Sequence, residues 1–169
     1  MQIHEIGVRP FRIWPTDLDI FKHMNNGVYL TLMDLGRFDV LKRTGAWALC
    51  QKANIYPIVV GETISFRKSL TLGQKFTIET GVIGWDDVAF FVQQRFVVNG
   101  EIYADAVVRL RFLKNPKGTP TPAEVLDIIG GWQGEQPKLP KWVLDWDKSI
   151  ALPKGRDAAP STWGGRPVL

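Results

Sequence analysis

Residues 27–43 read Gly-Val-Tyr-Leu-Thr-Leu-Met-Asp-Leu-Gly-Arg-Phe-Asp-Val-Leu-Lys-Arg. The run predicts a helix that Gly45 stops, since glycine is the common residue just past a helix end. Val28, Leu32 and Leu35 line one side, Tyr29, Met33 and Val40 widen it, and Leu30, Phe38 and Leu41 fall elsewhere on the wheel. A helix apolar nearly all round is a buried helix. Gly36 in its interior costs roughly 1 kcal/mol against alanine, which predicts the close approach of a neighbouring backbone. Asp34 and Arg37 are spaced to pair along it.

On either side the pattern is of strands. Residues 3–14 form a short apolar-rich stretch stopped at Trp14-Pro15. After Asn54 the period becomes two, predicting strands at 56–60, 62–70, 75–85, 88–99 and 101–114. Gly73, Asp86-Asp87 and Asn99-Gly100 mark the turns, and Asn-Gly between alternating segments is a strong hairpin signal. Phe90, Val92, Phe96 and Val98 share one side, and Ala104, Ala106, Val108, Leu110 and Phe112 continue it on the return. One long apolar helix and a meander of antiparallel strands are satisfied together when the sheet curls around the helix. The expected class is therefore α+β, a single hotdog domain with a long buried central helix.

The domain is expected over residues 1–130. Residues 122–129 suggest a short helix, and residues 131–169 an arm holding five of the eleven prolines and four of the seven tryptophans (Trp132, Trp142, Trp146 and Trp163). Proline and glycine argue for irregular backbone there. Tryptophans at such density must bury apolar area, so the arm is expected to pack on the body or on a partner subunit, loosening from about Ala158.

Composition excludes several chemistries. A chain of 169 residues with 45% hydrophobic and 22% charged residues is ordinary for a globular protein. Cys50 is the one cysteine, most simply a buried small residue, and His4 and His23 are the two histidines. An internal disulfide and a cysteine-based zinc site are thereby ruled out, a multi-histidine metal centre is disfavoured, and no metal is expected. None of the four serines lies in a Gly-x-Ser-x-Gly elbow, and no glycine-rich nucleotide loop occurs. The net charge of +4 comes from basic residues scattered among acids, which suits an acidic small molecule better than nucleic acid. No apolar run is long enough to cross a bilayer. The opening Met-Gln-Ile-His-Glu lacks the pattern of a signal peptide, so the protein is expected in the cytoplasm.

The chemistry concentrates just before the helix, in Asp17-Leu18-Asp19-Ile20-Phe21-Lys22-His23-Met24-Asn25-Asn26-Gly27-Val28-Tyr29. Two carboxylates, an imidazole and two carboxamides precede a helix N-terminus, whose unpaired N–H groups carry positive partial charge. Such an end holds a carboxylate ionised and donates hydrogen bonds to an oxyanion, the two needs of acyl transfer.

The pattern Asp-x-Asp-x-x-x-His-x-Asn-Asn-x-x-Tyr resembles the signature of the 4-hydroxybenzoyl-CoA thioesterase family of hotdog enzymes, and the loop is also similar to that of plant acyl-ACP thioesterases. Residues 64–74 (Ile-Ser-Phe-Arg-Lys-Ser-Leu-Thr-Leu-Gly-Gln) resemble the family's strand-turn stretch, and Asn99-Gly100-Glu101 its penultimate turn. The likeness covers roughly residues 5–115. It implies hydrolysis of an acyl-CoA thioester with Asp19 as the catalytic carboxylate. It also implies a dimer, extendable to a tetramer, with sites at the subunit interface and no cofactor beyond the coenzyme A or carrier protein that brings the acyl group. The chain departs from the pattern at Phe21, where the plant enzymes carry asparagine, and at Ser69 and Gln74.

Asp17 is expected as a cap or turn residue. For Asp19 the resemblance implies a general base or a nucleophile, against the plain reading of an aspartate before a helix as a cap or turn residue. His23 either orients Asp19 or a water, or holds the loop in shape. Asn25, Asn26, Gly27 and Tyr29 form the candidate oxyanion and substrate-positioning set. Within it Asn25 is the natural helix cap, Asn26 has a structural alternative, and Tyr29 is either core or pocket wall. Asp34 is a secondary candidate, because some hotdog enzymes place the acid on the helix. Arg67 and Lys68, and less directly Arg109 and Arg111, are candidates for the phosphates of coenzyme A. The alternatives are an acyl-ACP thioesterase and a non-catalytic acyl-thioester-binding protein. A hotdog hydratase would need a different spacing.

Overall fold

The computed structural model describes residues 1–153, in two compact units that divide between Leu139 and Pro140. In the first, β1 (Gly7–Arg12) leads through a short 3-10 turn (Pro15–Asp17) and a loop to α1 (Asn26–Arg43) and α2 (Ala46–Lys52). Then follow β2 (Ile55–Phe66), β3 (Lys75–Trp85), β4 (Phe90–Val98), β5 (Glu101–Lys114) and α3 (Pro122–Ile129). The strands form one antiparallel sheet in the order β1-β3-β4-β5-β2. The first two strands in sequence are thus the two edges, and the segment joining them has to cross the sheet's width. That segment is α1. Its side chains enter one core with Phe76 and Ile78 of β3, Phe96 of β4 and Ala104, Ala106 and Val108 of β5. This is the α+β hotdog arrangement expected from the sequence.

The burial of α1 is more one-sided than its composition suggests. Tyr29, Met33, Gly36, Arg37 and Val40 are buried, at the spacing of a single helical face, whereas Leu35 and Phe38 stay 43% and 39% exposed in the single chain. Gly36 does mark a close approach, but to side chains rather than to backbone. A Cβ there would meet Gln94 Nε2 at 3.0 Å and Thr80 Oγ1 at 3.1 Å. Gln94, fully buried, donates from Nε2 to the Met33 carbonyl and to Thr80 Oγ1, both at 2.9 Å, and its Oε1 accepts from Arg37. Arg37 also pairs with Asp34, as its spacing predicts. A polar knot therefore pins the middle of the helix to β3 and β4.

The strands predicted at 56–60 and 62–70 are one strand. β2 runs through Gly61, with a bulge between Val59 and Gly61 against β5, and ends at Phe66 rather than at 70. A bulge lets one extra residue pass without ending the ladder, so the glycine that looked like a break is an irregularity inside the strand. The Asn99-Gly100 hairpin forms as expected, with φ of 50° and 81°, the left-handed pair such a two-residue turn requires. α2 was not legible, because two turns are too short to set up a period.

After α3, Trp132 stands edge-on to Trp85 at 5.1 Å, and Gln136 Nε2 donates to the Trp85 carbonyl at 2.9 Å. The second unit opens with α4 (Lys141–Ile150), a helix where the proline content predicted irregular backbone. Pro140 occupies its N-cap, where a missing N–H costs nothing. Trp163 and the loosening from Ala158 lie outside the described residues. Among the described residues no helix is long and apolar enough to cross a membrane.

Candidate active site

The loop before α1 folds back on itself as a tight hairpin. Leu18 and Met24 are bridge partners, the Asp19 N–H donates to the His23 carbonyl at 2.8 Å, and the Asn25 N–H donates to the Asp17 carbonyl at 2.8 Å. Ile20, Phe21 and Lys22 make the tip, where Lys22 takes a φ of 62°. Asp19 Oδ1 accepts from the N–H of Phe21 at 2.8 Å and of His23 at 3.2 Å. The carboxylate is thus held by main-chain donors, and any residue at position 21 supplies that N–H, phenylalanine included. Asp17 is the turn residue expected, its Oδ2 accepting from the Trp14 N–H at 2.8 Å. The hairpin is anchored to the sheet by Met24, whose N–H donates to the Leu70 carbonyl at 2.8 Å, and by a bridge from His23 to Thr71.

The helix start is capped as expected by Asn25, whose Oδ1 accepts from the Gly27 N–H at 2.8 Å. That bond engages the Gly27 N–H expected for an oxyanion. The Asn26 N–H has no acceptor among the described residues. Tyr29, one turn in, is 2% exposed, packed edge-on against Phe66 at 4.9 Å and tilted over Phe96 at 4.8 Å. Burial pushes its phenol pKa up, opposed by a hydrogen bond with the Leu70 backbone. Arg67 and Lys68, which follow Phe66 in the chain, are both paired to Glu101, at 2.6 and 2.8 Å. Their hydrogen bonds hold the Glu101 carboxyl below its ordinary range.

A concave feature lies toward the other end of α1, away from the hairpin. A cavity of about 390 Å³ opens between the C-terminal half of the helix and the sheet. Its walls are largely apolar, with Asp34, Arg37 and Thr80 as the polar part. Asp19, His23, Asn25, Asn26, Gly27 and Tyr29 are not among its lining residues. Asp34 is therefore in the cavity wall, whereas Asp19, His23, Asn25, Asn26, Gly27 and Tyr29 gather around the hairpin and helix start. Gln94 was overlooked, although a signal existed: it is the one polar side chain in phase with Phe90, Val92, Phe96 and Val98.

The family model of the Thioesterase-like superfamily matches residues 13–146, which include the whole hairpin, α1 and strands β2 to β5. The chain belongs to that superfamily. It is 35% identical over 136 residues to Protein THEM6 of Xenopus laevis, an alignment covering 80% of this chain and 64% of that protein. The chain thus spans less than two thirds of that relative. It is 26% identical over 93 residues to the long-chain acyl-CoA thioesterase FadM of Escherichia coli (strain K12), covering 54% of this chain and 70% of FadM. Among solved structures, the probable thioesterase YbaW from Escherichia coli superposes with a TM-score of 0.69 at 20% identity, over 73% of this chain and 96% of that one, a likeness of fold.

For a thioesterase-like chain the hairpin has the parts acyl transfer needs. A carboxylate fixed by two N–H donors lies in the hairpin that leads into the positive end of an 18-residue helix, with no acid in the first helical turn to cancel that end. Among the described residues no group of His, Cys, Asp and Glu could hold a metal ion.

Proposed function

We propose that the chain hydrolyses acyl-CoA thioesters, with Asp19 as its catalytic carboxylate. The observation that carries this reading is the placement of Asp19, locked by main-chain hydrogen bonds in the hairpin that delivers the chain to the α1 N-terminus. The similarity to FadM, a long-chain acyl-CoA thioesterase, supports coenzyme A as the carrier. The thioester carbonyl accepts from the Asn26 N–H, and from the Gly27 N–H once Asn25 releases it. One such donor is typically worth about 3 kcal/mol on the transition state. As general base, Asp19 takes a proton from water as the water oxygen bonds to the carbonyl carbon. The tetrahedral oxyanion then collapses, the C–S bond breaks, and the coenzyme A thiolate takes back the proton that Asp19 removed from water, which regenerates the carboxylate. As nucleophile, an Asp19 oxygen bonds to the carbonyl carbon as the C–S bond breaks and the coenzyme A thiolate leaves, and water then opens the mixed anhydride to the acid and free Asp19. His23 borders the site and shapes the hairpin through its main chain. Arg67 and Lys68 would receive phosphates only by exchanging partners with Glu101.

The reading includes a second copy of the chain. Ile20 and Phe21 at the hairpin tip are 90% and 71% exposed, and β2, the sheet edge farthest from β1, ends at exposed Phe66 beside Tyr29. A strand edge and an apolar rim next to the carboxylate suit a two-fold dimer that walls the site.

The test is a panel of acyl-CoA thioesters, short, long and aromatic, with release of free thiol measured. Turnover of any member supports the reading. No turnover by the folded protein across the panel rejects coenzyme A esters as substrates and passes the question to carrier-protein thioesters.

A further inference from the structure

The cavity along the C-terminal half of α1 is not an extension of the Asp19 site. From Asn26 to Asp34 the helix rises about 12 Å. Tyr29 and Met33, 2% and 0% exposed, fill that interval against Ile78 and Phe96. Its volume of about 390 Å³ lies within the range of small-molecule pockets, about 300–1,000 Å³. Leu41, Val59, Val82, Phe90, Val92 and Val125 make its walls from five different elements. Apolar walls of that extent favour an apolar occupant over water.

The polar end decides the head group. Arg37 is the cation there, and Asp34 and Gln94 already engage both of its terminal nitrogens. Asp34 and Glu62 act on it electrostatically, and Glu5 is a further acid in the wall. One paired guanidinium beside two acids in the wall, Asp34 and Glu5, with Glu62 acting on it from outside the lining, disfavours a free carboxylate or phosphate. Thr80 Oγ1 accepts from Gln94 and so offers its own O–H as a donor, while Asp34 offers an acceptor oxygen. A neutral hydroxyl, which both accepts and donates, satisfies the two.

We propose that this cavity is a second binding site, for an uncharged single-chain aliphatic alcohol or similarly neutral-headed lipid, its tail among Leu41, Val92 and Val125 and its head at Thr80 and Asp34. The site is independent of thioester hydrolysis, and its test reads binding without turnover, so either reading can fail alone.

The experiment titrates 1-dodecanol into the full chain with labelled methyl groups, with dodecanoic acid at about pH 7, where it is ionised, as the charged control. Saturable shifts are expected at Leu41, Val82, Val92 and Val125, with Val28 and Leu30 near the helix start unmoved. The acid should bind at least about tenfold more weakly, and Asp34→Asn should narrow that gap. Val59→Trp, at a half-exposed position on the mouth, should weaken dodecanol binding while the protein still melts cooperatively. Absence of saturable binding up to the solubility of the alcohol overturns the proposal. So do shifts centred on Val28 and Leu30, or acid binding as tight as alcohol.

Discussion

Asp19 and His23 are joined through the main chain, the Asp19 N–H donating to the His23 carbonyl at 2.8 Å and the His23 N–H to Asp19 Oδ1 at 3.2 Å. The imidazole takes no part in either bond. Removing it should therefore disturb the carboxylate little. His23→Ala is expected to lower kcat/KM on an acyl-CoA ester by less than about tenfold, below the 10²–10⁴-fold typical of losing an acid–base group. A larger loss with an unchanged melting temperature would give the imidazole a chemical role.

The knot beneath α1 makes a stability prediction opposite in sign to helix propensity. Gly36→Ala in a free helix gains up to about 1 kcal/mol. Here the new Cβ meets Gln94 and Thr80 at 3.0 and 3.1 Å, and Gln94 cannot retreat without stretching its bonds to Met33 and Thr80. A net loss of about 1–3 kcal/mol is expected from overpacking. Gln94→Leu should cost at least about 2 kcal/mol, since it leaves the Met33 carbonyl and one Arg37 nitrogen without their buried partner. Urea midpoints of the two variants check both values.

Much of this was readable in advance, and the reasons differ by element. The helix and the hairpins announced themselves because a 3.6-residue period, a two-residue period and an Asn-Gly turn are local signals. The polar loop before the helix stood out because its residue types are unusual together, whereas its folding back as a hairpin through Leu18 and Met24 is not encoded in any local pattern. Leu35 and Phe38 were misjudged as part of a helix buried all round, because composition cannot say how much of a helix one sheet covers. The polar knot was half visible. The spacing of Asp34 and Arg37 gave their pair, but Gln94 reaches Arg37 across 57 residues of chain, a contact that no local pattern encodes. The engagement of the Gly27 N–H by Asn25 follows from capping, and what remained hidden was that the cap and the oxyanion compete for one donor.

Cys50 is 1% exposed, and burial pushes its thiol pKa up. Both effects suppress the reactive thiolate. The thiol should stay unmodified by an aromatic disulfide reagent in the folded protein and react at once in denaturant. Rapid native-state labelling would contradict the packing of α2 against the sheet end.

α3 opens with a reciprocal cap. Thr121 donates from N and from Oγ1 to Glu124 Oε2 at 2.7 and 2.9 Å, and the Glu124 N–H donates to Thr121 Oγ1 at 3.3 Å. The bonds from Thr121 lower the Glu124 pKa from its ordinary 4.5. A carboxyl whose folded pKa is depressed stabilises the fold above the unfolded pKa and loses that contribution as pH falls through the folded value. The stability difference between wild type and Glu124→Gln should therefore be larger at neutral pH than at about pH 3. Thr121→Ala should cost about 1 kcal/mol as the loss of an N-cap. Denaturant curves at the two pH values read both.

The most direct test of the central claim is kcat/KM for the best acyl-CoA substrate in wild type and Asp19→Asn. The asparagine carbonyl can still accept from the Phe21 and His23 N–H groups, so the hairpin and the melting temperature should be unchanged. The account predicts a fall of at least about 10²-fold, the loss expected when a base or nucleophile becomes an amide. A folded Asp19→Asn protein that turns over as fast as wild type would remove Asp19 from the reaction and contradict the account.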